Sequence, residues 1–357
     1  MSICVIGKNL TALMLAKILV NGGQNVDLFF KQKKKRKNSY RFIGLSNNSI
    51  EFFEKQKIFS KRICWPIKKI NLYKGKNSKK FFSFSDNNNY FFMASNQKLY
   101  STLESKIKKN KLFKLIKKNN DYSLKILKKN YEIIINTETD NNLSKKYFHK
   151  YIKKDYNSLA YTAVITHSKI MNNTAEQYFT VYGPLAFLPI SDTRTSIVFS
   201  IFNKKLNDSE HKIKNCIKNY SKRYDIKDFS IFEKFTINMS LLRNYYYGNI
   251  LSFGDALHKI HPLAGQGFNM TIRDASILSN LIKEKQELGL DLHNILDDFE
   301  TKRKSKNLLF ALGIDFIHEF FKLSNKYNIQ QIDKFLGFID KNTFIKSKLQ
   351  KFANIGF

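Results

Sequence analysis

The 357-residue chain can bury one large core or two coupled ones, and its formal net charge of +33 raises nucleic acid or an anionic membrane as partner. Lysine is scattered among abundant Asn, Ile, Phe and Tyr, as AT-rich coding drift produces, and no nucleic-acid motif accompanies it, so no nucleic-acid partner is expected. The three cysteines, Cys4, Cys64 and Cys216, form no CxxC pair; a disulfide framework and a zinc site are excluded, a reducing compartment fits, and no metal is expected.

No apolar run reaches the length of a membrane span. The opening MSICVIGKNLTALMLAKILVNGG lacks a basic n-region and a small-residue cleavage site, so it reads as strand, turn and helix rather than a signal peptide. A strand is expected at 3–6, a turn at Gly7, a helix over 10–20 stopped by Gly22-Gly23, and a second strand at 26–30. This is a β-α-β unit, the usual setting of a dinucleotide site. Its fingerprint positions hold Gly7, Asn9 and Ala12 in place of G-x-G-x-x-G. Ala is an accepted variant at the third, and Asn tolerates unusual backbone angles less freely than Gly. Phe30, followed by Lys31, stands where an acidic residue would hold a ribose. Taken alone, the unit leaves a dinucleotide site and an ordinary β-α-β equally open. The basic run at 31–37 reads as an exposed loop, with phosphate binding as the minority alternative.

Further along, residues 156–167 are β-rich, and strands at 185–190 and 196–201 flank a turn containing Asp192 and Arg194. The stretch GDALHKIHPLAGQGFNMTIRDA (254–275) then gathers backbone specialists that the chain otherwise lacks: three of its 14 glycines and one of its 4 prolines lie between 254 and 267. An apolar strand ends at Phe253, and Gly254 sets Asp255 at its end, where a carboxylate can accept hydrogen bonds from sugar or ribityl hydroxyls. Gly265 and Gly267 permit backbone angles that expose amides and let a flat ring lie against the chain. A helix from about Asn269 points its positive end at that ring. His258 and His261 have no acidic or cysteine partner in a ligand pattern, so packing or polar contact near the ring is expected. Beyond 301 the chain reads as helical. Phe335, Phe338, Ile339, Ile345, Leu349 and Phe352 alternate there with lysines, which suits an anionic membrane surface or, equally, packing on the rest of the protein or a dimer contact.

The 254–275 stretch resembles the flavin-binding motif of aromatic-ring monooxygenases with a p-hydroxybenzoate-hydroxylase-like fold. Among them it is most similar to the ubiquinone-biosynthesis ring hydroxylases, in which G-D-A-x-H-x-I-H-P-L-A-G-Q-G-x-N is nearly a signature. YRFIGLS (40–46) resembles the segment bearing the family arginine, here Arg41. ASNQKLYSTL (94–103) and GPLAFLPISDTRTSIVFS (183–200) resemble later family segments in order. Two elements depart from the pattern: the family G-A-D-G reads Asn136, Thr137, Glu138, Thr139, and the helix-start arginine is Gln97.

The resemblance implies an α/β (α+β) fold. A Rossmann-like FAD-binding domain (1–62, 96–150 and 246–300) would be interleaved with a mostly antiparallel β-sheet substrate domain (63–95 and 151–245), followed by a helical C-terminal region (301–357). It implies an FAD-dependent monooxygenase that uses NADPH or NADH and O2 to hydroxylate the ring of a polyprenylated phenol in ubiquinone biosynthesis. Cofactor contacts would come from Gly7, Asn9, Ala12 and Arg41, and from Gly254, Asp255, Pro262, Ala264, Gly265, Gln266, Gly267 and Asn269. His261 and Pro262 would face the ring, and no acid–base residue is singled out. Other ubiquinone-biosynthesis proteins and a peripheral membrane surface are the expected partners, in the cytoplasm or on the inner face of its membrane. The alternatives are a same-fold prenyl-chain reductase or soluble-aromatic hydroxylase, or a degenerate non-catalytic scaffold, suggested by the lost glycines and acid.

Overall fold

Strand β1 (Ser2–Ile6) holds Ile3, Cys4, Val5 and Ile6 without exposure, the two-sided burial of a central parallel strand. In the computed structural model, which describes residues 2–31, 41–74, 79–85, 91–117, 127, 129–202, 209–290, 294–327 and 342, β1 pairs in parallel with β2 (Asn25–Phe30) and β9 (Ile133–Asn136). Beyond them lie β8 (Phe113–Lys117) on one side and β17 (Ile250–Ser252) with antiparallel β16 (Tyr246–Tyr247) on the other. The order is β16-β17-β9-β1-β2-β8. Helix α1 (Leu10–Asn21) crosses from β1 to β2. Asn9 starts it by accepting a hydrogen bond from the Ala12 amide, and the Gly22 amide closes it on the Ile18 carbonyl. Helix α3 (Asn96–Ile107) packs on α1, and α4 (Asn142–Tyr147) follows β9.

A second, mostly antiparallel sheet is built on the long β10 (Tyr151–His167). Its neighbours are β13 (Arg194–Phe202) and β15 (Glu233–Leu242), with β14 (Ile226–Phe229) pairing at the far end of β10. The sheet continues through β12 (Gly183–Ser191), β11 (Thr174–Thr180), β5 (Lys69–Lys74) and β6 (Lys79–Ser85), with β11 and β5 parallel. The β12–β13 hairpin turns at Asp192 and Thr193 as the spacing suggests. The short β18 (His258–Lys259), which comes late in the chain, pairs with the end of β15. Helix α5 (Glu210–Tyr220) covers one face through Ile213, Cys216 and Ile217. The long α7 (Ile295–Tyr327) covers the other, setting Phe310, Ile314 and Phe321 against Tyr156, Phe179, Ile237 and Met239. A three-stranded sheet of β3 (Phe42–Ser46), β7 (Phe91–Ser95) and β4 (Trp65–Ile67), with α2 (Asn47–Lys55) after β3, bridges the two. The basic run at 32–37 and the amphipathic segment at 335–352 lie outside the described residues, apart from Asn342.

Helix α6 (Gln266–Glu287) meets α7 through a carboxylate with no exposure, Asp274. Its oxygens accept from His258 Nε2 at 2.6 Å, Arg303 Nε at 2.6 Å and Asn307 Nδ2 at 3.2 Å. Burial alone would raise this carboxyl, but the charges and hydrogen bonds of His258 and Arg303 outweigh it and hold it below the usual value. Asp274→Asn should therefore cost about 3–5 kcal/mol in urea unfolding, the range for breaking a buried ionic network. With the folded carboxyl below its unfolded value of about 3.9, this contribution is complete at neutral pH and fades only as pH falls through the folded value. The gap between wild type and variant should thus narrow as pH falls below about 3.9.

Candidate functional site

Parallel strands end at one edge, and ligands in open α/β sheets bind outside that edge, where the strand order reverses. Here β1 leads through α1 to β2 on one side, while β9 lies on the other. A cavity of about 570 Å3 opens at this place. Lys8 and Asn9 line it from the β1–α1 turn, Phe30 and Lys117 from the ends of β2 and β8, and residues 137–140 from the turn after β9. Asp255 and Lys259 close the circle. The positions at which the sequence departs from the dinucleotide pattern, Asn9, Phe30 and 137–139, thus share one cavity.

Asp255 lies in a single 3-10 turn (Gly254–Ala256) beyond the strand and is exposed. Gly254 makes that turn possible. Its φ is +64°, and a Cβ there would stand 2.7 Å from Thr11 Cγ2. Only glycine lets the chain press against the first turn of α1 and present Asp255 to the cavity.

Pro262 opens a second 3-10 turn (Leu263–Gly265), which contains Ala264 and ends at Gly265 with φ +63°. Helix α6 then starts at Gln266, three residues earlier than the apolar spacing suggests. Gly267 consequently lies within the helix with ordinary angles, and a Cβ on it would meet nothing closer than Ile260 Cγ1 at 3.9 Å. The N-cap position of α6 is Gly265, which has no side chain to cap it, whereas Asn9 caps α1. A Cβ on Gly265 would lie 3.5 Å from the Gly44 backbone, because β3 runs directly against this turn. Asn269 fixes that contact: its Oδ1 accepts from the Ser46 amide at 2.9 Å and from Ser49 Oγ at 2.8 Å, and its Nδ2 donates to the Gly44 carbonyl at 3.0 Å.

The remaining candidates are distributed as follows. Gly7 and Ala12 flank Asn9 at the head of α1, with Ala12 buried. Gln266 is buried and Pro262 half-buried. Arg41 does not line the cavity: its Nε lies 3.3 Å from Glu233 Oε2, and its guanidinium sits over the Phe235 ring, directed at β15. His258 belongs to the Asp274 network. His261 is buried, and its Nδ1 accepts from the Leu263 amide at 3.2 Å, while its Nε2 has no hydrogen-bond partner. Its ring lies 4.3 Å from that of His318 on α7 and 5.0 Å from that of Tyr156. His318 Nδ1 is 3.5 Å from Glu319 Oε1 without hydrogen-bond alignment. Burial pushes His318 down to about 4, and burial with the neighbouring His318 pushes His261 well below its ordinary value.

A family model described as an FAD binding domain matches residues 137–306. Among curated proteins, ubiquinone biosynthesis monooxygenase COQ6 of Danio rerio is 28% identical over 207 residues, covering 46% of this chain and 43% of the relative. The ubiquinone hydroxylase UbiL of Rhodospirillum rubrum is 25% identical over 168 residues, covering 45% of this chain and 39% of the relative. Over these stretches the chain is similar to FAD-binding domains and to ubiquinone-ring hydroxylases. Its matches span under half the length of these two relatives. The fold is that of p-nitrophenol 4-monooxygenase PnpA from Pseudomonas putida, with TM-score 0.78 at 10% identity over 98% of this chain and 96% of that one. It is also that of Klebsiella pneumoniae HpxO, solved with FAD and uric acid, with TM-score 0.73 at 13% identity over 99% and 97%.

The residues of this chain fit an FAD cofactor chemically. The cavity offers carboxylates for hydroxyls, ammonium groups for phosphates and one aromatic ring, while the head of α6 would turn its positive end toward a ring that gathers negative charge. Among the lining residues, Lys8, Lys117 and Lys259 were not singled out from the sequence. A lysine at a strand end carries no signal until the sheet order is known. His318 also escaped notice, as a lone histidine in the apolar run GIDFIHEFF.

Two outcomes follow. Gly265→Val should lose FAD retention, read as the flavin-to-protein absorbance ratio, and lower stability by about 1–3 kcal/mol, since a branched residue strains at positive φ. Gly267→Ala should stay within about 1 kcal/mol of wild type in stability, because the helix accepts a methyl there. The His318 prediction concerns pH. A folded histidine below its unfolded value of about 6.5 leaves the unfolded chain to take up the proton first, so stability falls as pH drops from about 6.5 toward about 4. His318→Gln should flatten that slope in urea unfolding between about pH 7 and about pH 5.

Proposed function

We propose that this chain is an FAD-dependent monooxygenase that hydroxylates the ring of a polyprenylated phenol in ubiquinone biosynthesis. NADPH or NADH and O2 would be its co-substrates. The observation that carries the reading is the 254–266 segment, folded as two consecutive turns that present Asp255 to the switch-point cavity and lead into the head of α6. When bound, FAD supplies reduction by a nicotinamide and transfer of one oxygen atom from O2 to an electron-rich ring.

The chain's own residues would bind, orient and exclude water. Asp255 would accept hydrogen bonds from ribityl or ribose hydroxyls. The amides at the head of α6 would favour negative charge beside them. Pro262 and His261 would border the reacting ring, with His261 uncharged at neutral pH because burial and His318 hold it so. The family arginine Arg41, held by Glu233, would reach the cofactor only by leaving that partner.

The purified protein should be yellow with bound FAD. It should oxidise NADPH or NADH in the presence of a prenylated phenol and form a hydroxylated ring. Hydroxylation of an unprenylated phenol alone would redirect the assignment to a soluble aromatic. A scaffold without catalysis is favoured by one observation, the Asn9 side chain across the head of α1; flavin-loaded protein that oxidises no nicotinamide with any phenol would establish it. Asp255→Ala should weaken FAD by about 1–3 kcal/mol, the range for hydrogen bonds to a charged group, in titrations of the flavin-free protein.

A further inference from the structure

The head of a crossover helix is the ordinary seat of a dinucleotide pyrophosphate, because its first amides are unpaired and carry partial positive charge. In this chain one of those amides is answered from within, and the preceding backbone packs against another turn. Asn9 Oδ1 accepts the Ala12 amide at 2.9 Å, while Asn9 Nδ2 donates to the Thr137 carbonyl at 3.1 Å and to Thr137 Oγ1 at 3.2 Å. Gly7 is already in contact with Thr137: a Cβ on it would lie 2.4 Å from Thr137 Oγ1. The backbone that would otherwise approach a phosphate packs against the turn after β9.

Positive charge reaches the same cavity by another route. Lys8, Lys117 and Lys259 line it from three different elements. The carboxylates that share the lining, Glu138, Asp140 and Asp255, can accept from hydroxyls but repel phosphate. The wall therefore suits a ligand bearing both. Resting on the FAD reading above, we infer that the FAD pyrophosphate is held here by the ammonium groups of Lys8, Lys117 and Lys259, in place of the amides at the head of α1.

Lys8 is poised to change partners. Its Nζ lies 3.2 Å from Glu104 Oε1 and 4.6 Å from the centre of the Phe30 ring. Lys108 lies 3.3 Å from the same Glu104 oxygen, so that carboxylate keeps a cation if Lys8 turns to a phosphate. Ammonium groups at an open cavity act as point charges, which salt screens, whereas the hydrogen bonds of buried amides are far less sensitive.

The test is fluorescence titration of the flavin-free full chain with FAD and, in parallel, with riboflavin, which has no phosphate. Lys8→Gln, Lys117→Gln and Lys259→Gln should each weaken FAD roughly three- to tenfold, as expected for a partly exposed charge pair, and leave riboflavin unchanged. Raising NaCl from about 50 mM to about 500 mM should weaken FAD and spare riboflavin. Glu104→Gln, which frees Lys8, should bind FAD as tightly as wild type or more so; circular dichroism establishes that each variant is folded. FAD affinity indifferent to all three lysines and to salt overturns the inference and leaves the flavin assignment standing. Equal losses for FAD and riboflavin also overturn it. Failure of the wild-type chain to bind either flavin overturns the assignment itself, and the inference with it.

Discussion

A carboxylate sealed from water decides how the pieces of this molecule meet. Asp274 lies in the middle of α6, yet its partners come from β18, through His258, and from α7, through Arg303 and Asn307. An ionised carboxylate without exposure is tolerable only while its partners stay, because stripping one leaves an uncompensated charge in a poor dielectric. The segment between β17 and α6 is thereby held at His258. At its other end Asn269 holds it, through hydrogen bonds to β3 and α2. Between these two anchors the chain makes the second of the two tight turns that shape the candidate flavin site, and the first, at 254–256, directly precedes His258.

The two helix heads at the site start differently. The Asn9 side chain answers one amide of α1, whereas α6 begins after Gly265, which has no side chain to offer. Both carry the partial positive charge of aligned peptide dipoles. The β1-α1-β2 unit keeps its architectural role in the parallel sheet with an asparagine at the second fingerprint position.

Much of the architecture was legible because it rests on local periodicity. The apolar run at 3–6, the helical spacing from Leu10 and the alternation at 185–201 each specify an element with little help from the rest of the chain. The 254–267 segment was legible for another reason: glycines and a proline are conspicuous in so Lys- and Asn-rich a sequence. What stayed hidden depends on pairing between distant residues. That Asn9 would reach Thr137, or that Phe30 and Lys117 would stand side by side, follows from strand order, which no window of sequence contains. Gly267 has helical angles rather than the special ones its spacing suggests, because the turn before α6 lets the helix begin at Gln266. Asp274 left a trace, a charged residue among Ile272, Ala275 and Leu278. Its partner Arg303 lies 29 positions away, too far for helical spacing to suggest.

One small strand has a mechanical consequence. β18 begins only three residues after Asp255, yet its ladder partners are Ser240 and Leu241 at the end of β15. Lys259, which pairs with Ser240, also lines the cavity. The antiparallel sheet therefore cannot swing as a free body about the parallel one at this crossing. Any sideways slip of β15 drags Asp255 and Lys259 along and changes the width of the cavity mouth. Crowding on one sheet is transmitted as displacement at the other through two residue pairs, which makes this crossing a linkage and leaves any hinge to lie elsewhere in the chain.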